Sequence, residues 1–527
     1  MTNTDTFDVA IVGMGPVGGV LACLLGAKGH RVVVFERHLA PYPLPRAVHF
    51  DHEAARILQA CGLGPELETL SEPADVYEWR NARGDVLLRF AGDGLGPSGW
   101  PFANMFWQPD LEAKIERAVC AHPSVSVRRG WQVEDLRQGA GDVTLDVRRV
   151  ATAELGNGPT DSTPIGELSP VVARYVVGCD GANSTIRALL GVEMTDLGFY
   201  FDWLIVDVAL HTPRVFEPSN YQICDPRRPT TVVSGGPGRR RWEFMRLPHE
   251  TIDELNDESR AWEFLEPWNV LPHNATLERH AVYTFQAKWV EDWRRGRTLL
   301  AGDAAHLTPP FAGQGMCAGL RDAANLAWKL DALLAGAATE SLLDAYSGER
   351  ATNVRGFIEF AVALGEIICV ADESEAAERD AAMSGSGDQA MPEIPGITSG
   401  IIAPDDPLAG SLFIQGRVQL AEHVALFDDL VGAGWRLITL DPSVATGITD
   451  VEREWFSSLG GRIVALGDDV DDVDGTYESW FQRHGVRTAL QRPDFYLFGA
   501  ADDASALLHS LRAFLTAGSD HPVSVES

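Results

Sequence analysis

Residues 7 to 36 constrain the fold most. Phe7 to Val12 is an apolar run of strand length, followed by Gly13-Met14-Gly15-Pro16-Val17-Gly18. A helical pattern (Val20, Leu21, Leu24, Leu25) ends at Gly29, and a second apolar run, Val32 to Phe35, ends at Glu36. Strand, Gly-x-Gly-x-x-Gly, helix, strand and acid in this order form a dinucleotide-binding βαβ unit. Its two strands are parallel, because a helix carries the chain back between them. Gly13 permits the tight turn, Gly15 lets pyrophosphate approach the backbone, and Gly18 lets helix and strand pack closely. Glu36 is placed to hold ribose hydroxyls. The unit alone does not tell one dinucleotide from another.

A second informative run is Arg297 to Lys329, RTLLAGDAAHLTPPFAGQGMCAGLRDAANLAWK. A short apolar strand reaches Gly302-Asp303, a Pro/Gly-rich loop follows, and from Met316 small and apolar residues fall at helical spacing (Leu320, Ala323, Ala324, Ala327, Leu330). Gly313 and Gly315 let a ligand come close just before the helix begins. The first N–H groups of that helix have no partner inside it and favour an anion. Asp303 is placed to accept from ligand hydroxyls. A third run, Arg174 to Arg187, ends a strand in Asp180-Gly181 and starts a helix that Ser184 is suited to cap.

The 302–330 run resembles the second flavin-binding motif of the single-component (group A) FAD-dependent aromatic hydroxylases, and the 174–187 run resembles their Asp-Gly motif. The runs RAVHFDHEAARILQACGL and Arg240-Arg241-Trp242-Glu243-Phe244-Met245 resemble the branch that acts on 3-(3-hydroxyphenyl)propionate. The resemblance implies tightly but non-covalently bound FAD, with NADH or NADPH as transient electron donor. It carries cofactor roles onto Gly13, Gly15, Pro16, Gly18, Glu36 and Arg37 at the ADP end. Arg46 and Gln108 are implied beside the flavin, and Asp180, Gly181 and Arg187 in the Asp-Gly motif. Gly302, Asp303, Pro309, Gly313, Gln314, Gly315 and Asn325 complete the set.

The implied reaction is hydroxylation of a phenol, 3-(3-hydroxyphenyl)propionate or a similar one, ortho to its hydroxyl, through a flavin C4a-hydroperoxide formed from O₂. A protein base near the phenol would assist; His49 and His306 are the candidates. The same three motifs serve hydroxylases of polyketides and other natural products, and a non-catalytic relative binding a partner is a further alternative. A flavin halogenase is disfavoured, because the sequence has no Gly-Trp-x-Trp-x-Ile-Pro run.

The expected architecture is α/β. A discontinuous Rossmann-like FAD-binding domain (1–75, 100–194, 287–371) carries an inserted antiparallel-sheet substrate domain (76–99, 195–286). A linker (372–396) leads to a thioredoxin-like α/β domain (397–527) that has no cysteine after Cys369 and so no dithiol chemistry. A net charge of -32 argues against nucleic acid or an anionic membrane as partner. Seven scattered cysteines without C-x-x-C suit a reducing compartment and no structural metal. No apolar run approaches the ~20 residues of a membrane span. The expectation is a soluble cytoplasmic enzyme, with a homodimer as a possible assembly, taking a small aromatic substrate and O₂.

Overall fold

The structure is a computed structural model that describes residues 6–92, 94–152, 162–385, 387–389 and 394–516. Five parallel strands, in the order Thr298–Leu300, Ser162–Gly178, Thr6–Val12, Val32–Glu36 and Val125–Arg129, form the first sheet. Val9 to Ile11 and Val32 to Val34 are fully buried. Such continuous apolar runs belong in a parallel sheet covered on both faces. The helices Pro16–Ala27 and Gly315–Leu334 pack on it, and the strands Trp131–Gln138 and Val143–Thr152 extend it as an antiparallel excursion. Much of the polar excursion expected between Glu154 and Glu167 lies outside the described residues.

The second sheet has nine strands, with the long pair Met194–Leu210 and Ala275–Val290 near one edge. Arg239–Met245, Thr230–Ser234 and Asn220–Cys224 continue it, and the hairpin Val76–Asn81 with Val86–Ala91 joins at Asn220–Cys224. Part of the expected 372–396 linker is instead structured. Glu373–Met383 is a helix capped by Asp372, and Asp388–Gln389 adds a last strand to this sheet.

The C-terminal unit pairs Arg462–Ala465, Arg436–Thr439, Thr488–Gln491 and Leu497–Ala501 in that order. The first two are parallel, and the third runs against the second and the fourth. This second-first-third-fourth arrangement is the thioredoxin pattern. Buried polar contacts fasten it to the first domain. Arg56 donates to Asp428 (2.6 Å) and to the carbonyl of Phe413 (2.7 Å), and Arg492 donates to Glu349 (2.7 Å).

Candidate active site

The three glycine-bearing runs, far apart in sequence, touch one another. Gly13 has φ +103°, and a Cβ there would stand 2.3 Å from the carbonyl oxygen of Cys179. Gly302 and Gly319 face Val17, with a Cβ at Gly319 only 2.5 Å from the Val17 side chain. Arg187 ties two of the runs together by donating to the carbonyls of Ala304 (3.0 Å) and Ala182 (2.7 Å).

A cavity of about 770 Å³ opens where these loops meet the second sheet, within the usual range for a small-molecule site. Gly15, Pro16, Arg46, Gln108 and Gly181 line it from the first domain. Asp303, Gly313, Gln314 and Gly315 line it from the second run, with His49 beside them. Tyr77, Ile205, Thr231, Glu243 and Phe285 form the opposite wall. A Cβ at Gly15 or Gly315 would meet no protein atom within 4 Å, so nothing in the fold itself requires glycine there. The Asp303 carboxylate has no hydrogen-bond partner among the described residues and is left open to a ligand.

Local contacts hold each loop. Gln108 opens its helix, and its Oε1 accepts from the backbone N–H groups of Arg46 and Ala47 at 2.7 Å each. Arg321, fully buried in the Gly315–Leu334 helix, donates to Asp51 and Glu53 at 2.6 Å each and to Gln314 Oε1 at 3.0 Å. Burial by itself would raise Asp51; Arg321 and His52 overcome it and hold the carboxyl below the usual range. The Gly13 loop is closed by Glu36, whose Oε2 accepts from the Met14 N–H (2.9 Å). Arg37 beside it is exposed, its Nε donating to His38. Asp180 accepts from Ser184 Oγ (2.5 Å) and the Ile186 N–H (3.1 Å), and burial raises its pKa.

Two sequence expectations are corrected by this geometry. His306 does not line the cavity. Its Nε2 lies 2.8 Å from Asp322 Oδ2, its ring stacks on Trp293, and it is fully buried. Asp322 also accepts from the Gly302 N–H (2.9 Å) and from Arg350 (2.8 Å), so His306 supports the Gly302-Asp303 turn from behind. Asn325 faces the C-terminal domain. Its amide donates to Glu349 (2.7 Å) and Asp494 (2.9 Å) and accepts from Lys329 (2.5 Å), which leaves nothing for a cofactor. Gly18 and Pro309 stay behind the lining, with Gly18 packed on the Gly13 carbonyl. His49 does line the cavity; its Nδ1 donates to the Gly313 carbonyl (3.2 Å), and burial lowers its pKa.

Residues 6–361 match the model of the FAD binding domain family, and residues 410–515 match the HcaD C-terminal domain. A Rhodococcus jostii (strain RHA1) protein described as "Probable NADH-specific resorcinol 4-hydroxylase" is 39% identical over 511 residues, 95% of this chain and 93% of the relative. The chain belongs to the FAD-dependent aromatic hydroxylases. A 3-(3-hydroxy-phenyl)propionate/3-hydroxycinnamic acid hydroxylase of Mycobacterium sp. (strain JLS) is 33% identical over 533 residues, covering 94% of this hydroxylase and 89% of that one. The crystal structure of aklavinone-11 hydroxylase with FAD and aklavinone shares the fold, with a TM-score of 0.76 at 24% identity over 98% of this chain and 100% of that one. Among the described residues, no helix is long and apolar enough to cross a membrane, and none of the His, Cys, Asp and Glu groups could hold a metal ion.

The site also contains residues that the sequence reading passed over. Arg241 donates to Asp207 and to the carbonyls of Pro45 and Arg46, and Arg279 also reaches the Pro45 carbonyl. The signal was present in Arg239–Met245. Arg241 and Glu243, two apart and alternating with the aromatic Trp242 and Phe244, share one buried face of a sheet in which charge has no place unless it is paired or used.

Proposed function

We propose that this hydroxylase converts a small phenol carrying a substituent meta to its hydroxyl, introducing a new hydroxyl ortho to the first, with NADH as the electron donor. One observation carries the reading: a single cavity is walled on one side by the three glycine-bearing loops and on the other by the antiparallel sheet. Bound FAD supplies the redox chemistry, taking electrons from the nicotinamide and passing one oxygen atom of O₂ to the ring.

The chain's own residues supply position and polarity. Glu36, with exposed Arg37 next to it, holds the ADP end. The Gly13–Gly18 loop admits the pyrophosphate at the start of the Pro16–Ala27 helix. Asp303 would take ribityl hydroxyls, and Gly313, Gln314 and Gly315 would meet the ring end of the cofactor, where the unpaired N–H groups opening the next helix favour negative charge. Gly181 closes the far side. The apolar wall, with Ile205 and Phe285, keeps water from the reacting ring.

The second wall favours a neutral diphenol of the resorcinol kind. Arg241 is committed to Asp207 and to backbone carbonyls, and Arg279 pairs with Asp207 and the Pro45 carbonyl, with its buried Nε left without a partner. A second reading, 3-(3-hydroxyphenyl)propionate, is supported by Arg46. Its guanidinium lines the cavity, exposed, and makes no ion pair among the described residues. A cytoplasmic site of action fits seven free cysteines, five of them buried. A homodimer, with the C-terminal domain supplying the contacts, is read by sedimentation. The test of function is substrate-stimulated NADH oxidation by the yellow holoenzyme with resorcinol and with 3-(3-hydroxyphenyl)propionate, each paired with product identification. No hydroxylated product from either would end the proposal.

A further inference from the structure

Glu243 is a buried carboxyl that the fold leaves unused. It lies on the strand Arg239–Met245, paired with Thr231 on one side and Ile205 on the other, and all three line the cavity. Its neighbours Trp242 and Phe244 point the other way into a separate apolar core. Glu243 is 8% exposed and makes no hydrogen bond among the described residues. The nearest cation is Arg241, with Nη1 3.8 Å from Oε1. That guanidinium is already spent on Asp207 and on the carbonyls of Pro45 and Arg46. A buried carboxyl without a hydrogen-bond partner is costly, and native proteins rarely keep one. Glu243 itself lines the cavity, where a ligand can supply the missing hydrogen bond.

We propose that Glu243 is the group that receives the phenolic hydroxyl of the substrate and accepts its proton. This rests on the phenol-hydroxylating reading above and names the residue that activates the ring. The phenolic O–H bond breaks, the proton passes to a carboxylate oxygen of Glu243, and the electron pair stays on the phenolate oxygen. From there it raises electron density at the ortho carbon that takes up oxygen. Burial raises the Glu243 carboxyl above its ordinary value, while Arg241 and Arg279 draw it down and Asp207 pushes it up. Tyr77, on the strand Val76–Asn81, is raised by burial, then by Cys224 and by Glu243. A base raised toward working pH is better matched to a phenol than an ordinary carboxylate. His49 stands on the other wall, its ring packed against Gly313 in the flavin loop.

Two measurements test the assignment, each with bound flavin content as the control for folding. In the first, Glu243→Gln holoenzyme should lose about a hundredfold in hydroxylation rate near neutral pH, within the usual contribution of a general base. The rate should recover as pH rises toward the phenol's own pKa, and Glu243→Asp should restore part of it. In the second, which needs no turnover, binding is read from the flavin absorbance with resorcinol and with 1,3-dimethoxybenzene, which has no hydroxyl proton. The wild type should prefer resorcinol by about tenfold or more, as a hydrogen bond to a charged group predicts, and Glu243→Leu should lose the preference. A preference without any hydroxylated product would uphold Glu243 and sink the functional reading instead. Product formation by Glu243→Gln at the wild-type rate and pH profile, a preference kept by Glu243→Leu, or the pH signature appearing only in His49→Asn would overturn the assignment.

Discussion

Arg241 Nε lies 2.7 Å from Asp207 Oδ1, and the same guanidinium reaches the carbonyl oxygens of Arg46 (2.8 Å) and Pro45 (3.0 Å). One buried ion pair thus fixes the antiparallel sheet against the chain that leaves the βαβ unit. Gln108 holds the other edge of that chain through the N–H groups of Arg46 and Ala47. The two contacts together set the width of the cavity on this side.

Removing one partner of such a pair strands a buried charge, which costs roughly 3–5 kcal/mol, whereas replacing both with apolar groups costs far less. Asp207→Leu, which strands both Arg241 and Arg279, should therefore lower the urea midpoint strongly, and the triple variant Asp207→Leu/Arg241→Met/Arg279→Met should recover much of the loss. Equal midpoints for the two would show that the pair is not the anchor described.

His306 separates a structural role from a catalytic one. It sits behind Asp322, which receives the Gly302 N–H. His306→Ala should weaken FAD retention and lower thermal stability, yet leave the hydroxylation rate per bound flavin within about threefold of wild type. A catalytic base would cost roughly 10²–10⁴-fold, so a loss of that size at full flavin occupancy would return His306 to the chemistry.

Stability should fall on acidification above the range where carboxylates titrate. Burial pushes His52 down to about 4 from 6.5. As pH drops from 6.5 to 4, the unfolded chain therefore binds a proton that the folded chain refuses, and stability is lost across that window. The difference approaches about 3 kcal/mol at its acid end, and half-buried His49, lowered in the same direction, adds to it. His52→Gln should flatten the slope between pH 6.5 and 4 in denaturant titrations, and an unchanged slope would remove His52 as its source.

The C-terminal unit should unfold together with the rest. Arg56 and Asp428, 0% and 3% exposed at their side chains, meet at 2.6 Å across the two domains. Arg56→Met leaves Asp428 unpaired in that interface. Thermal unfolding of this variant should split from one transition into two, and a single unshifted transition would contradict the coupling.

The sequence displayed the cofactor framework because its signals are local. Gly13, Gly302 and Gly313 each mark a turn with positive φ, and the first and last are followed by helices whose periodicity is visible in the chain. The alternation of strands and helices in the C-terminal unit was legible for the same reason. What escaped depends on which way a side chain faces once distant elements meet. Asn325 and Gly315 belong to one helix, yet one end lines the cavity and the next turns reach Glu349 and Asp494. His306 reads as a site residue by its nearness to Asp303, and only folding places Asp322 beneath it. Glu243 looked like part of an aromatic core strand because alternation shows two faces without saying which one meets a ligand. The Glu373–Met383 helix was hidden by its acidity, although Asp372 with Ser374 and Glu375 is a sound capping sequence.

The most direct test of the central claim, that three distant loops grip one flavin, is the FAD released on denaturation from wild type, Gly15→Ala and Gly315→Ala. In the protein alone a Cβ at either glycine meets open space, so both variants should fold as the wild type does by circular dichroism. The prediction is about one FAD per wild-type chain and a large loss of FAD from each variant. A wild type that never carries flavin, or variants that hold it as tightly, would contradict the account.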